Sequence, residues 1–179
     1  MIYLFLADGF EEIEALTTVD VLRRAGLELV TVGVGGKRIT GAHKIEVTAD
    51  IEEKDISFGG LHMVILPGGV PGTPNLEQSD AVREALLYCR EQNQYIAAIC
   101  AAPSILGHMG LLKGHTACCF PGYEAELHAD TVTMEPVCVS GKIITARGAG
   151  VAVEFALAIV EELAGSEKSK SLRKSMQCI

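Results

Sequence analysis

Cys100 follows directly on the apolar run Tyr95-Ile-Ala-Ala-Ile99 and precedes Ala101-Ala-Pro103. At such a strand-to-helix corner a sharp backbone turn presents the side chain to solvent, and the turn needs small neighbours. Ala98, Ala101 and Ala102 supply them. The first N–H groups of the following helix would point at the sulfur and favour the thiolate, the reactive form of cysteine. The same pattern also suits a buried structural cysteine, since Ala-x-Cys-x-Ala is a weaker signal than a full Gly-x-Ser-x-Gly. Gly68-Gly69 closes another apolar run, Leu61 to Leu66. Its N–H groups, with that of Ala101, would form an oxyanion hole, or it is an ordinary Pro-Gly turn. Glu14 is the carboxylate expected beside Cys100, whereas Glu11 and Glu12 read as solvated caps at a helix start. An ionised Glu14 would raise the cysteine pKa by repulsion. A protonated Glu14 would donate a hydrogen bond to a thiolate or an oxidised sulfur, and the two groups can share one proton.

Positioning these residues requires alternating strands and helices. Ile2 to Leu6 is a continuous apolar run, as expected of a parallel strand buried on both faces. Glu11 to Ala25 predicts a helix with apolar positions Ile13, Leu16, Val19 and Leu22 spaced by three, acids in its first turn, and Arg23 and Arg24 in its last. Further strands are expected over 27–34, 61–66, 95–99 and 116–119, with a small β excursion over 37–49 and a hairpin about Ser140-Gly141. Further helices are expected over 79–92, 102–109 and 152–164. The alternation implies one α/β domain over residues 1–179, a mostly parallel sheet with helices on both faces, and a peripheral tail from 165. Ligands of open α/β sheets bind beyond the carboxyl ends of the strands. Asp8–Glu14, Leu66–Gly69 and Ala97–Pro103 all lie at such ends.

The chain has 179 residues, 49% of them hydrophobic and 21% charged, with a net charge of −8. That composition is globular, and the acidic balance makes nucleic acid an unlikely partner. No apolar run reaches the ~20 residues that span a bilayer. Ile2–Leu6 is too short for the apolar core of an export signal and has no basic stretch before it, so a cytoplasmic protein is expected. The basic residues Lys168, Lys170, Arg173 and Lys174 read as a solvated, frayed tail. The six cysteines have irregular spacings and no CxxC pair, which excludes a disulfide framework and suits reduced thiols. Cys118 and Cys119 are adjacent on a short strand, so one would face each side; both read as structural thiols, with an approach of one to the pocket near Phe120 as the lesser alternative. The five histidines show no metal-ligand spacing, and no metal is expected.

Six segments together resemble the ThiJ/PfpI superfamily, in the branch of the parkinsonism-associated protein deglycase and its bacterial YajL-type relatives. They are Asp8-Gly-Phe-Glu-Glu-Ile-Glu14, Val19-Asp-Val-Leu-Arg-Arg-Ala-Gly26, Val64-Ile-Leu-Pro-Gly-Gly69, Ala97-Ala-Ile-Cys-Ala-Ala-Pro103, Phe120-Pro-Gly-Tyr-Glu124 and Thr145-Ala-Arg-Gly-Ala-Gly150. The last runs on into Val153 to Glu161, so the resemblance spans nearly the whole chain. It implies a flavodoxin-like three-layer sandwich, a homodimer, a reactive Cys100 and a protonated Glu14 touching it. It also implies pocket N–H groups at Gly69 and Ala101, and arginines at Arg24 and Arg147 near the dimer interface and the pocket. Two departures matter. Protease-like members carry a histidine after the cysteine, where this chain has Ala101. The parkinsonism-associated protein carries a histidine before the proline that is here Pro121, where this chain has Phe120. With no histidine partner, peptidase or amidotransferase chemistry is disfavoured.

Two functions are expected to compete. In the first, an enzyme of glyoxalase or deglycase type, hydro-lyase or hydrolase, uses Cys100 against 2-oxoaldehydes or early glycation adducts on amines, with no cofactor. In the second, peroxide oxidises Cys100 to a sulfenic or sulfinic acid held by Glu14, making the protein a redox sensor or redox-regulated chaperone.

Overall fold

The computed structural model describes residues 1–178. The described residues form eleven strands and six α-helices. The strands are β1 (Ile2–Leu6), β2 (Leu29–Gly33), β3 (Arg38–Thr40), β4 (Glu46–Thr48), β5 (Ile51–Glu52), β6 (Met63–Leu66), β7 (Tyr95–Ile99), β8 (Thr116–Ala117), β9 (Thr131–Val132), β10 (Val137–Ser140) and β11 (Ile143–Ala146). The helices are α1 (Glu12–Arg24), α2 (Gly72–Glu77), α3 (Asp80–Glu91), α4 (Pro103–His108), α5 (Ala152–Ala164) and α6 (Ser166–Ser175). Seven strands form the central sheet in the order β10-β11-β7-β6-β1-β2-β5, parallel except for the β10–β11 hairpin. β3 and β4 form the expected separate hairpin.

Alternation along each strand divides the apolar residues between two faces. Ile2, Leu4, Leu6, Met63, Ile65, Ala97 and Ile99 pack against α1, α5 and α6. Tyr3, Phe5, Val64, Leu66, Ile96 and Ala98 pack against α2, α3 and α4. The result is the flavodoxin-like three-layer sandwich, with central strands that read as apolar runs because both faces are covered. Ser79 caps α3 by accepting the Val82 N–H at 3.3 Å.

Three expectations are corrected. α1 forms where predicted but buries another stripe: Ala15, Thr18, Val21 and Leu22 face the core, while Ile13 and Leu16 are exposed. Residues 13 and 22 are about 2.5 turns apart at 3.6 residues per turn, so a strict spacing of three cannot stay on one side. The basic tail is not frayed but forms α6, which packs on α5 through buried Leu172 and Ser169. Ser169 Oγ donates to the Leu157 carbonyl at 3.0 Å. Ile179, also assigned to that tail, lies outside the described residues. Cys118 and Cys119 follow β8 instead of lying on it, and both are buried. Among the described residues no helix is long and apolar enough to cross a membrane.

Candidate active site

β7, β6 and β1 are consecutive neighbours, so their carboxyl ends deliver Cys100, Pro67–Gly69 and Asp8–Glu14 to one place. The Glu11 N–H donates to the Gly68 carbonyl at 2.9 Å, joining the Asp8–Glu14 and Pro67–Gly69 loops. A Cβ at Gly68 would stand 2.6 Å from Cys100 Cβ and 2.9 Å from Glu14 Oε2, so only glycine permits this approach.

Cys100 adopts φ 67°, the left-handed region that costs a residue with Cβ about 1–2 kcal/mol. Two bonds hold it there. Its N–H donates to the Ala146 carbonyl at 2.9 Å, and its carbonyl accepts the Phe120 N–H at 2.8 Å. The corner is thus tied to β11 on one side and to the Phe120 loop on the other. The backbone N–H groups of Ala101 and Gly69 lower the pKa of the thiol, against the larger effect of burial.

Glu14 projects from the first turn of α1 and is 1% exposed. Its Oε2 accepts the Gly68 N–H at 2.8 Å. Its Oε1 is buried with no partner among the described residues, and Cys100 is the side chain that approaches the carboxyl. Burial lifts this carboxyl from 4.5 to about 7, against the lowering effect of the Gly68 N–H and the thiol. Burial likewise pushes the Cys100 thiol from 9.0 to about 12, with the ionised Glu14 adding repulsion. The helix start therefore does not decide the thiol's state, as the sequence suggested; desolvation does. Both shifts oppose charge at the pair, and two groups this close titrate as a unit, so the pair still retains a proton above neutral pH.

The other predicted residues divide. Phe120, Arg147 and Gly148 line a shallow cavity of about 360 Å³ with Pro121 and Pro136. A Cβ on Gly148 would lie 3.3 Å from the Phe120 ring and 3.9 Å from the Cys100 sulfur, which places this cavity beside the thiol. Arg147 Nη1 donates to the Met134 carbonyl at 3.3 Å. Arg24 is elsewhere: it sits at the far end of α1, roughly 15 Å from Glu14 at 1.5 Å per residue, exposed and paired with Asp20 at 2.7 Å. Cys118 turns to Thr145, whose Oγ1 accepts the Cys118 N–H at 3.0 Å. Buried Cys89 has a thiol also pushed to about 12 by desolvation.

Glu12 corrects its expected role. It is 5% exposed, and Oε1 and Oε2 accept from the N–H and Nδ1 of His43 at 2.7 and 2.8 Å. Glu11, Glu12 and His43 lie within 4.8 Å of one another. The His43 bonds occupy both Glu12 oxygens and fasten the β3–β4 loop beside the site. Nothing in the spacing of residues 12 and 43 signals this pairing, nor the closeness of Gly148 to the sulfur.

A flavodoxin-like sandwich with a left-handed cysteine at the end of a central strand and a buried glutamate beside it defines a class of α/β protein built around one cysteine. The chain belongs to the DJ-1/PfpI family, whose description matches residues 1–162. It is 35% identical over 174 residues to protein dj-1beta of Drosophila melanogaster, covering 96% of this chain and 93% of that protein. It is 33% identical over 167 residues to the glutathione-independent glyoxalase DJR-1.2 of Caenorhabditis elegans, covering 93% and 89%. The solved structure of oxidized Toxoplasma gondii DJ-1 superimposes with a TM-score of 0.95 at 33% identity, covering 98% of this chain and 97% of that one.

Proposed function

We propose that this protein is a cysteine-dependent enzyme that converts 2-oxoaldehydes such as methylglyoxal to 2-hydroxy acids, with related action on early glycation adducts of amines. The observation that carries this reading is the meeting of Cys100, Gly68-Gly69 and the buried Glu14 at neighbouring strand ends, where a Cβ on Gly68 would stand 2.6 Å from Cys100 Cβ and 2.9 Å from Glu14 Oε2. The thiolate attacks the aldehyde carbon, C1, and the new C1 alkoxide is held by the Ala101 and Gly69 N–H groups and takes the Glu14 proton. The ionised Glu14 then removes the C1 hydrogen as a proton, leaving an enediol, and returns it to C2. Oxidation at C1 is balanced by reduction at C2, so a thioester forms within one molecule and no redox cofactor is required. Water attacks C1, the C–S bond breaks, and the thiolate and 2-hydroxy acid are released. The glyoxalase activity named for the C. elegans relative supports this reading.

The test is methylglyoxal consumption without glutathione by the protein and its Cys100→Ser and Glu14→Gln variants. Loss of consumption in Cys100→Ser and a fall of about 10²–10⁴ in Glu14→Gln are expected. Unchanged consumption in Cys100→Ser would end the proposal.

A second reading has its own observation. The buried, unpartnered Glu14 Oε1 is placed to hydrogen-bond an oxygen added to the sulfur, and the Toxoplasma relative was solved oxidized. In this reading peroxide oxidises Cys100 and the protein acts as a cytoplasmic sensor or chaperone. Mass mapping after peroxide that finds Cys100 no more oxidised than Cys89 would remove it. For either function we infer a homodimer. Ile13, Leu16 and Arg24 are exposed on α1, and Arg24 lies about three full turns from Ile13, on the same side.

A further inference from the structure

A second cavity, of about 530 Å³, opens at the other end of the sheet, among the end of α3, the α4–β8 loop and the β10–β11 turn. Ile96 on its wall is roughly 13 Å along β7 from Cys100 at ~3.3 Å per residue, so it is not part of the candidate active site. Its volume falls in the range of small-molecule sites. Its floor is apolar, from Cys89, Leu111 and Ile143, all buried. Its rim is cationic, from Arg90 and Lys113, and no Asp or Glu lines it.

Those two cations stand out in a chain of net charge −8. Among the described residues neither of them forms an ion pair. Arg90 alone is explained by the last turn of α3, where a cation suits the helix dipole. Lys113 lies on a loop. The α3 carbonyls that would repel an anion are already engaged: Cys89 O accepts the Gln94 N–H at 2.7 Å, and Arg90 O accepts the Asn93 N–H at 3.2 Å. Lys142 Nζ is held 3.8 Å over the Tyr95 ring, on the α5 face of the sheet, so its charge lies outside the cavity.

An apolar floor beneath the two unpaired cations Arg90 and Lys113 fits a ligand of matching polarity. We propose that this cavity binds a small amphipathic anion, a single carboxylate on an apolar body of medium-chain length, with the head group at Lys113 and Arg90 and the chain over Leu111 and Ile143. The site is distinct from the cysteine chemistry, and its test does not depend on it.

The experiment is an NMR titration of the ¹⁵N-labelled full chain with octanoate, and with octan-1-ol as the neutral control. Saturating shifts are expected at the amides of Asn93, Gly110 and Gly141 and not at those of Gly69 and Ala101. Octanoate is expected to bind about tenfold more tightly than octan-1-ol, and Arg90→Gln/Lys113→Gln to weaken octanoate about tenfold. The single variant Lys113→Gln, at an exposed loop position, gives the same direction of change if the double variant is destabilised. Shifts scattered over the surface, equal binding of octan-1-ol, or octanoate affinity unchanged in the variants would each overturn the proposal.

Discussion

Glu14→Gln should make the protein more stable and less active at the same time. Folding takes the Glu14 carboxyl from 4.5 to about 7, chiefly through burial. Between those values the folded chain binds a proton that the unfolded chain has released, so stability falls as pH rises. Each pH unit is worth about 1.4 kcal/mol, and the full rise amounts to about 3 kcal/mol lost by pH 8. Glutamine keeps the shape and can still accept the Gly68 N–H through its amide oxygen, but never ionises. Relative to the unmodified protein, the variant should therefore gain stability progressively from about pH 4.5 to pH 8, by up to about 3 kcal/mol. That corresponds to roughly 6–12 °C in melting temperature for a chain of this size. Urea melts of both proteins at several pH values measure it, beside the expected loss of methylglyoxal consumption. A stability difference that stays the same across this pH range would refute the raised carboxyl, and with it the shared proton at the sulfur.

Gly68→Ala places a methyl group 2.6 Å from Cys100 Cβ, so about 1–3 kcal/mol of destabilisation and slower alkylation of Cys100 are expected in denaturant melts and mass mapping. The pair Ile13→Asp and Leu16→Asp should shift sedimentation from dimer to monomer without unfolding the chain, because both side chains are exposed in the single chain. His108 faces Glu77 through Nδ1 at 2.5 Å and Glu126 through Nε2 at 2.8 Å, and these bonds, Glu126 first, raise its pKa. Its contribution, under about 1 kcal/mol for so exposed a group, should be fully present below pH ~6.5 and fade as pH climbs through the raised value. Melts of His108→Gln against the unmodified chain at acid and alkaline pH would show the difference closing.

The central strands were legible because parallel strands covered on both faces are written as apolar runs; Ile2–Leu6 and Tyr95–Ile99 fall where the sequence placed them. Residues 152–164 read as a helix for the analogous reason, a dense apolar stripe. α1 was legible as a helix but not in its facing. Its inner side carries Glu12 and Glu14, which interrupt the apolar spacing that would mark it, although Glu14 itself is expected beside Cys100. α6 was hidden because a serine- and lysine-rich segment with one buried leucine has almost no periodic signal. α2 contains Gly72 and Pro74, which read as turn. The Cys100 corner and the Gly68-Gly69 turn were visible because close backbone approach demands small residues. The Glu12–His43 pairing and the Gly148 contact depend on tertiary placement of distant loops and leave no local trace.

The most direct measurement is NMR detection of the product formed from ¹³C-labelled methylglyoxal, without glutathione, by the protein and by its Cys100→Ala variant. The account predicts labelled lactate accumulating over many turnovers with the unmodified chain, and no more than the protein-free rate with the variant. Equal lactate from both proteins would contradict catalysis by the Cys100 thiol.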